Sequence, residues 1–255
     1  MIESPCLVFS DAHIGASPPD VEASLLTLLR RARTEARAVV INGDLFEFWF
    51  EWAQVMPRGT ARVLSALADL RDDGVRVLWV AGNHDCWGGD ILRSDFGVTY
   101  VVGPWRGEIA GWQTMIEHGD GLRERGDGPY RAMRAVFRSP FVIGLFKLLP
   151  PDVAIRLALV FSHTSRNKRP KDGGAALREV ALKRLSDDPT LDLYVFGHTH
   201  ARLMERAPGG GVLANPGAWL DEPTYLRIVE GEIEIRRLCE GGEESVGRFG
   251  RMVKG

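Results

Sequence analysis

The sequence predicts an α/β fold, in which a layered sheet carries a ligand site along one edge. Short apolar runs that end in polar residues recur along the chain, at 6–13, 38–44, 75–85, 114–120 and 193–200. Helical patterns separate the first three runs, with apolar stripes at Leu25, Leu28, Leu29 and Ala32 and at Val63, Leu64, Leu67 and Leu70. Strands that alternate with helices place a ligand site beyond their carboxyl ends, so we expect the five polar ends to lie together.

Each predicted strand is followed by its own polar motif. The first run, CLVF, precedes SDAH, the second, AVVIN, precedes GD, and the third, VRVLWV, precedes AGNHD. The fourth, TMIE, precedes HGD, and the fifth predicts a short buried strand that ends at Gly197 before HTH. The later segments VLANPGAW and YLRIVEGEIEIRRL predict β-structure, and the second of them predicts a hairpin that turns near Glu230 and Gly231.

The segment from 121 to about 171 departs from this alternation and predicts consecutive helices, broken at Pro140 and at Pro150-Pro151. We expect a domain at 1–240 that carries this segment as a helical cap insertion, followed by a polar C-terminal tail at 241–255. The apolar run FVIGLFKLL contains Lys147 and ends at two prolines, so it is too short to span a bilayer. It fits either a core helix of the insertion or a membrane contact.

Composition limits the classes of function. The chain has 255 residues, of which 45% are hydrophobic and 26% are charged, so it is long enough for a sizeable core. A net charge of −2 gives no overall electrostatic basis for binding nucleic acid. Three cysteines without CxxC spacing indicate a reducing compartment. The N-terminal sequence lacks the pattern of an export signal, and we therefore expect a cytoplasmic protein.

The polar strand ends carry most of the chain's chemistry. They contain five of the six histidines, and the whole set is Asp11, His13, Asp44, Asn83, His84, Asp85, His118, His198 and His200. Singly, each has a plain structural explanation, such as a helix N-cap or a turn. Together, carboxylate, imidazole and amide ligands suit Mn, Fe, Zn or Ni. A set this large exceeds the needs of one ion and indicates two, roughly 3.5–4 Å apart and joined by a carboxylate.

These motifs resemble those of the calcineurin-like metallophosphoesterases, whose pattern is DxH, GDxx(D/E), GNH(D/E), an isolated histidine and GHxH. The chain has DAH at 11–13, GDLFE at 43–47, GNHD at 82–85, HGD at 118–120 and GHTH at 197–200, in the same order. The resemblance implies an α/β fold of four layers (αββα) with two divalent ions, Mn²⁺ being preferred. The implied ligands are Asp11, His13, Asp44 and His200 for one ion and Asp44, Asn83, His118 and His198 for the other.

The same resemblance gives His84 a catalytic role: it contacts the phosphate and protonates the leaving oxygen. Asp85 then either orients His84 or caps the following helix. A histidine beside a carboxylate is suited to general acid catalysis near neutral pH.

A narrower resemblance, to the bacterial UDP-2,3-diacylglucosamine hydrolases of lipid A synthesis, rests on HGDGL, DGPYRAMRAVFRSP, LFKLLP, SHTSRNKRPK, GDLFEFW and GAW. It implies hydrolysis of the substrate's diphosphate by a metal-bound hydroxide, which releases UMP and 2,3-diacylglucosamine 1-phosphate. Typical proteobacterial members have arginine at the position of His84. The implied substrate contacts are Asn83, His84, Asp127, Tyr130, Ser165, Lys168, Arg169, Lys171 and His198.

The arginine-bearing helix face and the substrate each have more than one interpretation. Arg131, Arg134 and Arg138 share one helical face, which suits an anionic amphiphile or a solvated basic surface equally well. We expect a nucleotide-activated glycolipid as substrate, peripheral contact with the inner face of the cytoplasmic membrane, and neither nucleic acid nor an obligate protein partner. The alternatives are a phosphoesterase of the same superfamily with another substrate and a scaffold that has lost catalysis.

Overall fold

Two β-sheets pack face to face, with helices covering both outer faces. The computed structural model describes residues 1–123, 127–166 and 172–251, and within 161–166 only the backbone. The strands are β1 (Cys6–Phe9), β2 (Ala38–Asn42), β3 (Arg76–Val80), β4 (Thr99–Val101), β5 (Trp105–Ile109), β6 (Trp112–Ile116), β7 (Leu193–Val195), β8 (Leu203–Arg206), β9 (Val212–Asn215), β10 (Thr224–Val229), β11 (Glu232–Cys239) and β12 (Gly242–Gly250). The helices are α1 (Pro19–Glu35), α2 (Ala61–Asp72), α3 (Asp90–Ser94), α4 (Gly128–Phe137), α5 (Pro140–Lys147), α6 (Pro151–Arg166) and α7 (Ala175–Asp187).

The strand order explains why the polar motifs meet. One sheet has the order β12-β11-β10-β1-β2-β3-β4, and the other has the order β5-β6-β7-β9-β8. Strands β1, β2 and β3 are parallel to one another, as are β6, β7 and β9. The carboxyl ends of parallel strands lie at one edge of a sheet, so the loops that follow these strands converge.

Alternation along the strands separates the layers. On β1, Leu7 and Phe9 join the core beneath α1 and α2, whereas Cys6 and Val8 join the core between the two sheets. On the second sheet, Tyr194 packs in the core beneath α7. Successive side chains of a strand point to opposite faces, so a strand covered on both faces is apolar throughout. The four-layer α/β architecture is thereby confirmed, as are the two predicted helical stripes, whose residues are all buried.

The C-terminal segment corrects one expectation. Residues 242–250 form β12, which pairs along its length with β11, so the expected polar tail at 241–255 is wrong for these residues. The sequence GEESVGRFG has few apolar positions because β12 is an edge strand. Val246 and Phe249 alone of its side chains pack against the core between the sheets. Backbone pairing holds the remainder, and hydrophobic patterning does not reveal such pairing.

Helices α4, α5 and α6, which we call the cap helices, lie in the segment where the sequence predicts consecutive helices. The predicted breakers coincide with the first residues of α5 and α6, Pro140 and Pro151. Proline is tolerated in the first turn of a helix, where its missing N–H has no partner to lose. Helices α5 and α6 pack on an aromatic cluster from the loop after β2, which includes Phe48, Phe50 and Trp52, and Phe137 of α4 packs against Trp87. None of the helices in the described residues is long and apolar enough to cross a membrane.

Candidate active site

The loops after five strands bring most of the predicted ligands together. Two groups place one ligand atom of each side chain within 4.8 Å of the others: Asp11, His13 and His200, and Asp44, His118 and His198. A third group joins His13 and Asp44 to His84. Asp44 thus lies between the two ends of the site. Its carboxylate oxygen Oδ2 is 3.2 Å from His118 Nε2 and 3.8 Å from His13 Nε2.

The backbone at these positions is strained. Six non-glycine residues in the described part of the chain have positive φ, and five of them are predicted ligands: Asp11 (56°), His13 (48°), Asp44 (53°), His198 (65°) and His200 (60°). The left-handed region costs roughly 1–2 kcal/mol per residue for side chains with a Cβ atom. Strain of this kind persists only where surrounding structure enforces it, and it concentrates at functional sites.

Two glycines allow the loops to approach closely. A Cβ atom on Gly43, which has φ of +78°, would lie 2.3 Å from Nδ1 of His118. A Cβ atom on Gly82 would lie 2.2 Å from Oδ1 of Asp44. Neither space admits a side chain, so glycine at both positions is required for the packing of the loops after β2 and β3 against the site.

Hydrogen bonds fix three of the imidazole rings. Nδ1 of His13 lies 3.0 Å from Oε2 of Glu47, and Nδ1 of His200 lies 2.8 Å from Oδ2 of Asp221. Nδ1 of His118 lies 2.7 Å from the carbonyl oxygen of Asn42. A proton on Nδ1, donated to these oxygens, leaves the lone pair on Nε2 available for a metal ion.

Several buried polar atoms at the centre of the site make no hydrogen bond within the described residues: Asp11 Oδ1, His13 Nε2, Asn83 Oδ1 and His118 Nε2. Unpaired buried polar atoms are costly, and each calls for a partner. All four belong to predicted ligands, and carboxylate, imidazole and amide donors suit a borderline divalent cation. The residues present therefore fit a divalent metal site.

The electrostatics keep the two central carboxylates ionised. Burial alone would raise the pKa of Asp44, but the positive charges of His118 and His84 hold it well below its usual value. Burial likewise opposes ionisation of Asp11, but the charges of His118 and His200 together outweigh it, so the pKa of Asp11 is lowered. The pKa of His118 is raised, because the charges of Asp44 and Asp11 outweigh burial. Close opposite charges account for all three shifts.

Asp85 is expected to orient His84 or to cap the next helix; α3 has no side-chain cap hydrogen bond, and the described hydrogen bonds of the Asp85 carboxylate come from other donors. Its carboxylate accepts hydrogen bonds from the backbone N–H of Gly82 (2.7 Å), from that of Leu45 (2.8 Å) and from the indole of Trp79 (3.2 Å). Burial, followed by the charge of Asp44, raises the pKa of Asp85 to about 7. Without Asp85, the backbone N–H groups of Gly82 and Leu45 would be buried without an acceptor. His84 instead has its Nδ1 atom 3.0 Å from the carbonyl oxygen of Glu47.

Apart from His198, which lies with Asp44 and His118 among the predicted metal ligands, the predicted substrate contacts fall into three groups. Asn83, His84 and Tyr130 line a cavity beside the predicted ligands. Asp127 is buried, and its carboxylate accepts hydrogen bonds from the backbone and guanidinium of Arg123. The Ser165 side chain, Lys168, Arg169 and Lys171 lie outside the described residues.

The cavity extends from the predicted ligands to the cap helices and has a volume of about 250 Å³. Its polar end contains Asn83, His84, Arg134 and Arg138. Its apolar end is formed by aromatic and aliphatic side chains, among them Phe48, Phe50, Phe137, Ile143 and Phe146. Such a site can hold a phosphate at one end and a hydrophobic group at the other.

Sequence reasoning missed three supporting carboxylates: Glu47, Asp120 and Asp221. Glu47 ends GDLFE and Asp120 ends HGD, so their place within the motifs was the available signal. Asp221 lies in no recognised motif. Asp221 contacts His200 because the loop after β9 lies next to the loop after β1. The backbone N–H of Leu220 donates a hydrogen bond to the carbonyl oxygen of Asp11, which joins these two loops.

The chain is similar in sequence to a known family and to named members of it. The sequence profile of the calcineurin-like phosphoesterase family matches residues 4–202. A UDP-2,3-diacylglucosamine hydrolase of Porphyromonas gingivalis is 34% identical over 75% of this chain and 81% of its own. A protein of the same name from Stenotrophomonas maltophilia is 30% identical over 87% of this chain and 94% of its own.

Solved structures show the same fold at low sequence identity. Vacuolar protein sorting 29 from Cryptosporidium parvum has a TM-score of 0.51 and 14% identity, and the match covers 98% of this chain and 100% of that one. This likeness bears on the fold alone. Residues 4–202, which match the family's sequence profile, contain every predicted metal ligand from Asp11 to His200. The chain therefore belongs to the calcineurin-like phosphoesterase family and is a metal-dependent phosphoester hydrolase.

Proposed function

We propose that this protein hydrolyses the diphosphate of UDP-2,3-diacylglucosamine to UMP and 2,3-diacylglucosamine 1-phosphate. One observation carries the proposal: a single cavity runs from Asn83 and His84 to an apolar region between the cap helices. A diacyl sugar attached to a diphosphate has the same sequence of polar and apolar parts. The name shared by the curated relatives supports the same substrate.

We propose two divalent ions, with Mn²⁺ as the native metal. Asp11, His13, Asp44 and His200 would hold one ion, and the other would be held by Asp44, Asn83, His118 and His198. Bound there, the ions would supply a hydroxide nucleophile and stabilise the negative charge that develops at phosphorus. The protein contributes the fixed imidazoles and the ionised Asp44 between the two sites.

We propose that His84 is the general acid that donates a proton to the leaving oxygen. Its Nδ1 atom is next to the carbonyl oxygen of Glu47, so Nε2 is the atom that would donate a proton. The imidazole is buried and lines the cavity. A positioned general acid contributes roughly 10²–10⁴-fold to the rate. Arginine cannot give up a proton near neutral pH, whereas an imidazole can, so the histidine at this position makes proton donation available.

The aromatic part of the cavity is proposed to hold acyl chains. Phe146 of α5 lies 4.8 Å from Phe50 and 6.3 Å from Phe48, measured between ring centroids. Each buried methylene of an acyl chain contributes roughly 0.8 kcal/mol to binding. Affinity should therefore increase with chain length until the apolar end of the cavity is filled.

The outer surface of the cap helices supports peripheral contact with the inner face of the cytoplasmic membrane. In the described part of the chain, large hydrophobic side chains with high exposure concentrate here, including Phe141 (79%), Leu148 (80%) and Val160 (65%). Exposed apolar patches of this kind mark interaction surfaces. A lipid substrate resides in a membrane, so a cytoplasmic enzyme needs such a contact to reach it.

The test is product analysis with UDP-2,3-diacylglucosamine and Mn²⁺, alongside a panel of nucleotides and a small phosphodiester. We expect UMP and the sugar 1-phosphate in equal amounts, and no product from Asp44→Ala. Efficient cleavage of the small diester or of nucleotides, without cleavage of the lipid, would show instead a phosphoesterase of the same family with another substrate.

A further inference from the structure

A cluster of charged residues separates the predicted metal ligands from the apolar end of the cavity. Asp120, which is buried, follows the predicted ligand His118 by two residues. Its Oδ2 atom lies 3.1 Å from Arg134 Nη1 and 3.6 Å from Arg138 Nη2. The hydroxyl of Tyr130 donates to the same oxygen at 3.1 Å. All three partners come from α4 and the residue that follows it.

The cluster has more positive than negative charge. Two guanidinium groups share one carboxylate, and Tyr130 stays neutral because burial and the charge of Asp120 raise its pKa. The exposed fractions of the Arg134 and Arg138 side chains are 30% and 22%. Nε of Arg138 is buried and makes no hydrogen bond within the described residues. A partly buried, incompletely paired guanidinium is a binding partner for an anion.

The cluster also lies next to the proposed reaction site. Arg138 Nη2 donates to the carbonyl oxygen of Gly82 at 3.4 Å, and Gly82 immediately precedes Asn83. Both arginines line the cavity, together with Asn83 and His84 at one side and Phe137 at the other. An anion beside these arginines would therefore lie between a phosphate at Asn83 and a hydrophobic group among the cap helices.

We propose that Arg134 and Arg138, held by Asp120, form a second phosphate subsite, which binds the lipid-side phosphate of the substrate. This inference rests on the proposed function for the identity of the ligand. The subsite distinguishes a diphosphate that carries an apolar group from a diester with a single phosphate, because only the former reaches the arginines and the ions together.

The subsite also has a role in bond cleavage. Attack of water on the uridine-side phosphorus forms a P–O bond and breaks the bond from this phosphorus to the bridging oxygen. The bonding electron pair leaves on that oxygen, as part of the lipid-side phosphate. His84 donates a proton to this oxygen, and the proton of the attacking water passes to solvent, from which His84 is reprotonated. Before the proton arrives, negative charge increases on the group beside the two guanidiniums, where fixed positive charge stabilises the transition state.

The experiment measures binding of decyl phosphate and decyl glucoside, which share one alkyl tail and differ in head-group charge. Quenching of tryptophan fluorescence reports binding, since Trp87 lines the cavity. Measurements are made with Mn²⁺ bound and again in excess EDTA, because a head group held only by the ions loses its preference in EDTA. The variants are Arg134→Gln, Arg138→Gln and Arg138→Lys. Arg131→Gln is the matched control, because Arg131 lies on α4 but is exposed and donates to the carbonyl oxygen of Arg123.

We expect the wild-type protein to prefer decyl phosphate by about tenfold or more under both conditions, as a charge-assisted hydrogen bond predicts. Arg134→Gln and Arg138→Gln should remove most of this preference, Arg138→Lys should keep part of it, and Arg131→Gln should keep all of it. The proposal is overturned if the preference survives in both glutamine variants, disappears in EDTA or falls equally in Arg131→Gln. If Arg138→Gln fails to fold, Arg138→Lys and Arg134→Gln decide. Failure to hydrolyse UDP-2,3-diacylglucosamine would refute the proposed function without changing this result.

Discussion

Glu47 offers the sharpest test of how the site holds its ions. Its carboxylate contacts Nδ1 of His13 at 3.0 Å, and the residue is 2% exposed, so the contact is shielded from solvent. Glu47→Gln keeps the shape and removes the charge that makes the imidazole a better ligand. Loss of such a supporting carboxylate typically lowers metal affinity roughly 10- to 100-fold. We therefore expect the affinity for the ion at Asp11, His13 and His200 to fall by about this factor, while the affinity for the ion at His118 and His198 stays unchanged.

The assay is isothermal titration calorimetry, in which Mn²⁺ is added to the metal-free protein. Glu51→Gln is the matched control: Glu51 is also a buried carboxylate of the loop after β2, but it accepts hydrogen bonds from Ile91 N and Leu92 N. This control should lower thermal stability and leave both Mn²⁺ affinities unchanged. Wild-type affinity for both ions in Glu47→Gln would refute the reasoning, and so would equal weakening of both in Glu51→Gln.

Three further changes test the proposed roles. Asp44→Ala should weaken both metal sites, as metal analysis would show, because a bridging carboxylate serves two ions; two tightly bound ions in this variant would exclude the bridge. His84→Ala should lower turnover by roughly 10²–10⁴-fold with metal content maintained, and parallel loss of metal and rate would make His84 a ligand or a structural residue. Phe146→Ser should impair hydrolysis of a detergent-dispersed lipid substrate far more than that of a small diester. Leu148→Ser, at an 80% exposed position of the proposed membrane surface, should leave hydrolysis of both dispersed substrates unchanged; equal loss on both substrates in folded Phe146→Ser would leave the cap helices a supporting role only.

The sequence predicts the centre of the fold because the same residues carry two signals. Strand β1 is apolar on both faces and is followed at once by Asp11 and His13, so periodicity and motif indicate the same edge. The short strands β4, β5 and β8 escape prediction because they are three to five residues long and their positions are mostly half-buried or exposed. Their pairing depends on neighbouring strands, and no local pattern encodes it.

The supporting carboxylates of the site could not be assigned for a related reason. Asp85 is adjacent in sequence to His84, yet its carboxylate satisfies backbone N–H groups at Gly82 and Leu45, whereas Glu47 contacts His13 from 34 positions away. Adjacency in sequence gives little information about contact in a loop, where no regular period fixes the direction of the side chain. Ligands can be recognised from chemistry and motif order, but their hydrogen-bond partners require coordinates.

The strained ligands lie on loops, whereas the apolar cores around the sheets stabilise the fold. Five predicted ligands hold left-handed backbone conformations, and four polar atoms of predicted ligands are buried without hydrogen bonds in the described structure, one each on Asp11, His13, Asn83 and His118. Such features destabilise the metal-free state, so the three cores above, between and below the sheets must hold the loops in place. A divalent ion relieves the unpaired atoms only when bound to the folded site, and its binding free energy then adds to stability. The arrangement thus links retention of metal to the integrity of the loops, while the apolar cores maintain the sheets independently of the ions.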